Sequence, residues 1–225
     1  KTRLPMYKMM LKKEKLKTVS KENLEIFIHL IRIDNALRSL MKTQVKLSQN
    51  ADGVERFKDS IDMYFLNIGL FYEGVKKFFS AIYPRIPRSY ISKANLRAIK
   101  SLEGRFKNCD NDDFLRIAKI IRDKVAFHFD LEMVTHNISG GDPKDDILIG
   151  YAKSKAIYDC VFVEPYTAIF IYLAKSCPKN LDAPNAIDWI RHTAIKEVHS
   201  FCIILEEILG GFFKQNGKLV EGDVT

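Results

Sequence analysis

Cysteine is scarce in this chain of 225 residues: there are four, and no two of them form a Cys-x-x-Cys pair. Widely spaced cysteines are typical of reduced cytoplasmic proteins rather than of secreted domains held by disulfides. Cys160 and Cys202 lie within apolar segments, which predicts mostly buried thiols. The sequence therefore indicates a cytoplasmic protein in which no cysteine nucleophile with a paired base can be named.

Long hydrophobic runs are also missing. The longest apolar stretch, Cys160 to Ala174, is interrupted by Glu164 and Pro165 and is too short to cross a bilayer. No signal peptide is visible at the beginning of the sequence. We therefore expect no membrane partner.

Several common catalytic signatures are absent, including Gly-x-Ser-x-Gly and His-Glu-x-x-His. The glycine-rich turn at 139–143 lacks the Gly-Lys-Ser/Thr of a phosphate loop. His192, His199 and Glu206 recur every seven residues along one flank of a predicted helix, whereas metal ligands on one helix need spacings of three or four. We interpret that flank as solvated or as a partner contact, and we predict no metal and no cofactor.

Acidic residues are fewer than basic ones, so the formal net charge is +8. A basic balance favours polyanionic partners such as nucleic acid. Much of the excess lies near the amino terminus, and residues 1–19 are predicted to form a basic, solvated arm. Its lysines and arginine are Lys1, Arg3, Lys8, Lys12, Lys13, Lys15 and Lys17.

The remaining residues, 20–225, are predicted to form a single all-α domain, a helical bundle. Apolar residues recur at helical spacing, and turn signals and prolines separate the segments. A small β-hairpin insertion is predicted at 147–163, where β-branched and aromatic residues are enriched. The predicted helices run over about 20–47 (capped by Ser20), 54–83, 92–106, 113–129, 166–176 and 184–214.

One segment combines charge with an apolar helix face, the run from Arg122 to His128. On a helical wheel His128 lies on the apolar face and Arg122 at its edge, so the arginine requires water, a carboxylate partner or a polar seam. On an ideal α-helix the two side chains lie about 120° apart. One straight helix therefore cannot easily direct both side chains at the same point.

The order Arg122-Asp123, four residues, His128, followed by Asp130, resembles the motif of the HEPN superfamily, especially its toxin and abortive-infection branches. The resemblance implies a metal-independent endoribonuclease that forms a homodimer with a composite cleft. It also implies an RNA substrate, and an antitoxin or a nucleotidyltransferase as a further partner. In the implied mechanism Arg122 holds the scissile phosphate, His128 acts as general acid or base, and Asp123 orients one of them.

Three further residues are candidate supporting groups: Glu73, Asp130 and His136. Glu73 is either a carboxylate partner of Arg122 or an exposed residue at the edge of its helix. His136 either reaches the same cleft or belongs to a plain loop. The alternative function is a non-catalytic, dimeric RNA-binding or partner-binding scaffold with the same fold.

Overall fold

The structure is a computed structural model that describes residues 7–12, 14, 17, 19–50, 53–126, 150–152, 160–162, 169, 172–178 and 181–221. Five α-helices account for most of this part of the chain, so the all-α prediction is confirmed. We number them α1 (Lys21–Asn50), α2 (Gly53–Lys77), α3 (Lys93–Lys107), α4 (Asp113–Ile120) and α5 (Ala183–Asn216).

Side-chain caps begin the helices where the sequence places small polar residues. The Ser20 hydroxyl accepts a hydrogen bond from the Asn23 amide before α1, at 3.2 Å. Ser92 caps α3 in the same way, and the Asp112 carboxylate accepts from the Leu115 amide at the start of α4, at 2.8 Å. Each cap satisfies an amide that the helix itself leaves without a partner.

Two predicted helices change their winding before they end. α2 passes into a π-helical turn at Phe78–Ile82, and α4 passes into another at Ile121–Ala126. The predicted uniform helices over 54–83 and 113–129 therefore need correction, because a π-helix bonds residue i to i+5 and turns less per residue than an α-helix. Short 3-10 turns at Tyr83–Arg85, Arg88–Tyr90 and Cys109–Asn111 complete the connections around α3.

The core lies where α1, α2, α4 and α5 pack together. Phe201 of α5 meets Phe71 of α2 and Phe78 of the following π-turn edge to face, with ring centroids 5.8 and 5.5 Å apart. Phe27 of α1 stacks on Phe212 of α5. The largest fully buried side chains are Phe71, Phe78, Phe201, Leu30, Leu37, Ile68, Ile82, Ile99, Leu115, Ile117, Ile121 and Leu173.

Short strands lie outside this core. β1 (Tyr7–Leu11) pairs antiparallel with β4 (Gly217–Glu221), from Tyr7 opposite Glu221 to Leu11 opposite Gly217. The prediction of a solvated arm over 1–19 did not anticipate this pairing, because it joins distant parts of the chain. β2 (Gly150–Ala152) pairs antiparallel with β3 (Cys160–Phe162) inside the segment predicted as a hairpin. The connection between β2 and β3 lies outside the described residues, so the hairpin as a unit stays a prediction.

Gly210 and Gly211 are neighbours in α5, but only Gly211 lies close to another part of the chain. We therefore expect alanine at these two positions to change the free energy of unfolding in opposite directions. A Cβ at Gly211 would lie 2.8 Å from the Tyr90 Cβ and 2.9 Å from its Cα, whereas a Cβ at Gly210 meets nothing within 4 Å. We expect Gly211→Ala to lower the free energy of unfolding by about 1–3 kcal/mol, because backbone must move. Gly210→Ala should raise it by about 0.5–1 kcal/mol, through helix propensity.

Urea unfolding of the two variants beside the parent chain measures this difference. Equal effects of both substitutions would contradict the close approach of the Arg88–Tyr90 turn to α5.

Candidate functional site

Arg122 lies in the π-turn that follows α4, and two carboxylates hold it. Its Nε lies 2.5 Å from Oε1 of Glu73 on α2, and its Nη1 donates to Oδ1 of Asp123 at 2.5 Å. The side chain retains 28% of its exposure, so the guanidinium lies at the boundary between core and solvent. The structure therefore resolves the two interpretations of Glu73 in favour of the carboxylate partner.

The Arg122–Glu73 pair is an ion pair rather than a well-aligned hydrogen bond. The Nε and Oε1 atoms are both shielded from solvent, and the N–H does not point at the oxygen. The hydrogen bond to Asp123, supported by the charge of Glu73, raises the pKa of Arg122. The guanidinium thus keeps its charge, and no described residue accepts from the N–H groups on Nη2 or from the second one on Nη1.

Arg122, Asp123 and Glu73 are the predicted site residues that the structure brings together. His128, Asp130 and His136 lie outside the described residues, so their places relative to Arg122 stay predictions. Phe114, Ile117 and Ile121 are buried, in agreement with the predicted apolar face of the motif helix.

The π-turn alters the expected direction of the side chains in the motif. The separation of about 120° between Arg122 and His128 assumed 100° per residue throughout. Because residues 121–126 are π-helical, each successive side chain is rotated by less than in an α-helix. The value of about 120° therefore does not apply to this segment, and the site built from two subunits stays a prediction. π-helical turns occur frequently at functional sites.

A second arginine, Arg105 of α3, also bridges two carboxylates. It contacts Asp112 at 2.7 Å and Glu197 of α5 at 3.0 Å. Burial by itself would lower the pKa of Arg105, but the hydrogen bonds to both carboxylates outweigh it and raise the pKa. This cluster joins α3, the cap of α4 and α5, so we assign it to stability.

The predicted line of His192, His199 and Glu206 does not converge. Both histidines are exposed, and Glu206 pairs with Arg38 of α1 at 2.6 Å. Arg38 also donates to both oxygens of the buried Asp34, at 3.0 and 2.9 Å. Within the described part of the chain, no group of His, Cys, Asp or Glu is placed to hold a metal ion.

Cys109, Cys177 and Cys202 are free thiols. Cys177 and Cys202 are buried, and Cys109 is half-buried. Burial raises the pKa of the Cys202 thiol to about 12 and that of Cys177 to about 11. A thiol with such a raised pKa is a poor nucleophile at neutral pH, so neither cysteine is a candidate catalytic group.

A groove between α1 and α2 was not found from the sequence. Its rim carries His29 and Arg32 of α1 and Lys77 of α2, and Glu73 forms part of its wall. The signal was present, since His29 and Arg32 are three residues apart on the exposed flank of an amphipathic helix. The sequence does not predict the groove, because each helix alone shows only an ordinary polar edge and the groove forms when α1 and α2 pack together.

The fold and this geometry define a class, an α-helical bundle with an arginine–carboxylate cluster at the end of a central helix. Comparisons with protein-family models, with curated proteins and with solved structures find no match for the chain. Among the described helices, none combines the length and hydrophobicity that crossing a bilayer requires.

Proposed function

We propose that this protein is a metal-independent endoribonuclease of HEPN type, of the toxin or abortive-infection kind, that acts as a homodimer. The observation that carries the proposal is the environment of Arg122. Glu73 and Asp123 hold its Nε and Nη1, and a phosphate would bind the N–H groups of Nη2 and Nη1 that have no acceptor among the described residues. An antitoxin or nucleotidyltransferase partner belongs to the same proposal.

In the proposed reaction His128 transfers protons and Arg122 stabilises negative charge. His128 of one subunit removes the proton from a ribose 2′-hydroxyl, and the oxygen attacks the adjacent phosphorus. The bond from phosphorus to the 5′-oxygen then breaks. His128 of the partner subunit supplies the proton to that oxygen. The products are a 2′,3′-cyclic phosphate and a 5′-hydroxyl. Arg122 stabilises the charge on the phosphorane oxygens through its remaining donors.

The same cluster also supports a second function, a non-catalytic, dimeric RNA-binding or partner-binding scaffold. Two carboxylates beside one guanidinium neutralise its charge, as in the structural cluster around Arg105. In that case the pairs of Arg122 join α2 to the end of α4 without chemistry. His128 would then contribute to packing or to dimer formation.

Cleavage in the presence of EDTA tests the proposed activity. We expect the purified chain to cut a mixed RNA pool in EDTA and to leave 2′,3′-cyclic phosphate ends. His128→Ala should lower the rate by at least about 100-fold, because general acid–base catalysis contributes at least that much. Cleavage rate and the chemistry of the new ends are the measurements.

A melting curve and light scattering on His128→Ala separate the two functions. A nuclease residue can be lost with little change in melting temperature or in dimer mass. If the parent chain cuts no RNA, and His128→Ala also loses stability or dissociates, the scaffold is correct and the nuclease is not.

A further inference from the structure

The groove between α1 and α2 has a volume of about 480 Å³, which is within the range of small-ligand sites. Matching faces of the two helices form it, with residues at spacings of three, four and seven. They include His29, Arg32 and Ile33 on α1, and Glu73, Gly74 and Lys77 on α2.

Gly74 allows the two helices to approach each other along the groove. A Cβ at this position would lie 3.0 Å from the Cγ2 of Ile33, closer than side chains normally pack. Ile33 and Leu70, both half-buried, add aliphatic surface to the lining, whereas Leu37 borders the groove but is fully buried. The result is an apolar surface with charged groups beside it, rather than a uniformly polar cleft.

The charges of the groove are unbalanced. Arg32 and Lys77 are exposed, and no described carboxylate forms an ion pair with either. Glu73, the acidic residue of the lining, is already paired with Arg122. Two cations and the exposed His29 therefore face the groove without a counter-charge, in a chain whose net charge is +8.

We propose that this groove binds a stretch of single-stranded RNA next to Arg122, with phosphates on Arg32 and Lys77 and bases against the aliphatic surface. Proteins usually bind single strands in positively charged grooves that follow the phosphate backbone, with aromatic side chains for base stacking. Here the cations are Arg32 and Lys77, and the aliphatic side chains Ile33 and Leu70 take the place of aromatic ones. Because aliphatic side chains read no base edges, we expect little sequence preference. Glu73 connects the groove to Arg122, so the inference deepens the proposed nuclease function and names where its substrate strand lies.

Reversing the two rim charges tests the groove. The probe is a fluorescein-labelled single-stranded RNA of mixed sequence, followed by fluorescence anisotropy in the His128→Ala background, so that cleavage does not interfere. We expect Arg32→Glu/Lys77→Glu to weaken binding by at least about 10-fold. Its slope of log Kd against log salt should fall by about 1.4, since each lost phosphate contact on a single strand contributes ~0.7.

Arg97→Glu/Lys100→Glu is the matched control, with the same pair of residue types at exposed positions of α3. We expect it to change the Kd by less than twofold. An equal loss of binding in both double variants would show general charge attraction and overturn the groove. The groove proposal would also be overturned if the protein bound poly-glutamate more tightly than RNA and lost that binding in Arg32→Glu/Lys77→Glu. That result would favour an acidic protein partner.

Two outcomes separate this inference from the proposed nuclease. If the parent chain cuts no RNA but binds it through Arg32 and Lys77, the groove stands and the nuclease fails. If RNA is cut and the rim variant binds and cuts like the parent, the nuclease stands and the groove fails. If Arg32→Glu/Lys77→Glu does not fold, Arg32→Gln/Lys77→Gln replaces it. We expect this neutral variant also to bind RNA more weakly than the parent, with a smaller loss of affinity.

Discussion

Replacing Arg122 with lysine is expected to lower RNA cleavage about 100-fold while the protein stays folded. Lysine keeps a positive charge beside Glu73 and Asp123, so neither carboxylate is left without a counter-charge. Its single ammonium, however, cannot contact both carboxylates and also present two directed donors to a phosphate. Arg122→Ala is a weaker test, because removing one member of a partly buried ion pair also destabilises the fold.

The matched control is Arg105→Lys, which makes the same change in an arginine that also bridges two carboxylates. It should lower the melting temperature without lowering the cleavage rate per folded molecule. Rates at saturating RNA, together with melting curves for both variants, provide the comparison. A phosphate-binding role for Arg122 would be ruled out if Arg122→Lys cleaved RNA at the rate of the parent chain. It would also be ruled out if Arg105→Lys lost as much cleavage rate per folded molecule as Arg122→Lys.

Phe201→Ala is expected to lower the free energy of unfolding by about 3–5 kcal/mol. The Phe201 ring is fully buried and contacts Phe71 and Phe78 edge to face. It also lies against α2 where Gly74 has no side chain, because a Cβ there would be 3.6 Å from the Phe201 Cε1. Rigid helices on both sides cannot close the space, so a cavity remains after truncation.

Ile203→Ala is the control for this substitution, two residues further along α5 and 42% exposed. It should change the free energy of unfolding by no more than about 0.5 kcal/mol. Urea titrations with similar m values in all three proteins would make the comparison valid. A loss below about 1 kcal/mol in Phe201→Ala would place the centre of the core elsewhere.

Helix positions were predictable because their signals are local. Ser20 and Ser92 cap the helices that follow them, and the apolar spacing of the predicted segments matches α1, α3 and α5 to within three residues and the start of α2 to within one. Capping and amphipathic periodicity depend only on neighbours within one or two turns. The sequence carries that information in full.

The π-turns and the β1–β4 pair were not predictable for the opposite reason. A π-turn accommodates an extra residue where packing against other helices favours it, and a ladder between Tyr7–Leu11 and Gly217–Glu221 joins the two ends of the described chain. Neither has a local pattern that distinguishes it from an ordinary helix or an extended arm.

At the candidate site the same division holds. The motif from Arg122 to His128 and the need of Arg122 for a partner both followed from the sequence, because a charge at the edge of an apolar face is costly whatever the fold. The packing of α2 against the end of α4 made Glu73 that partner. The packing of α1 against α2 placed Arg32 and Lys77 on the same groove. Side chains far apart in sequence become neighbours only when helices pack, so tertiary structure alone determined which charges are paired and which have no partner among the described residues.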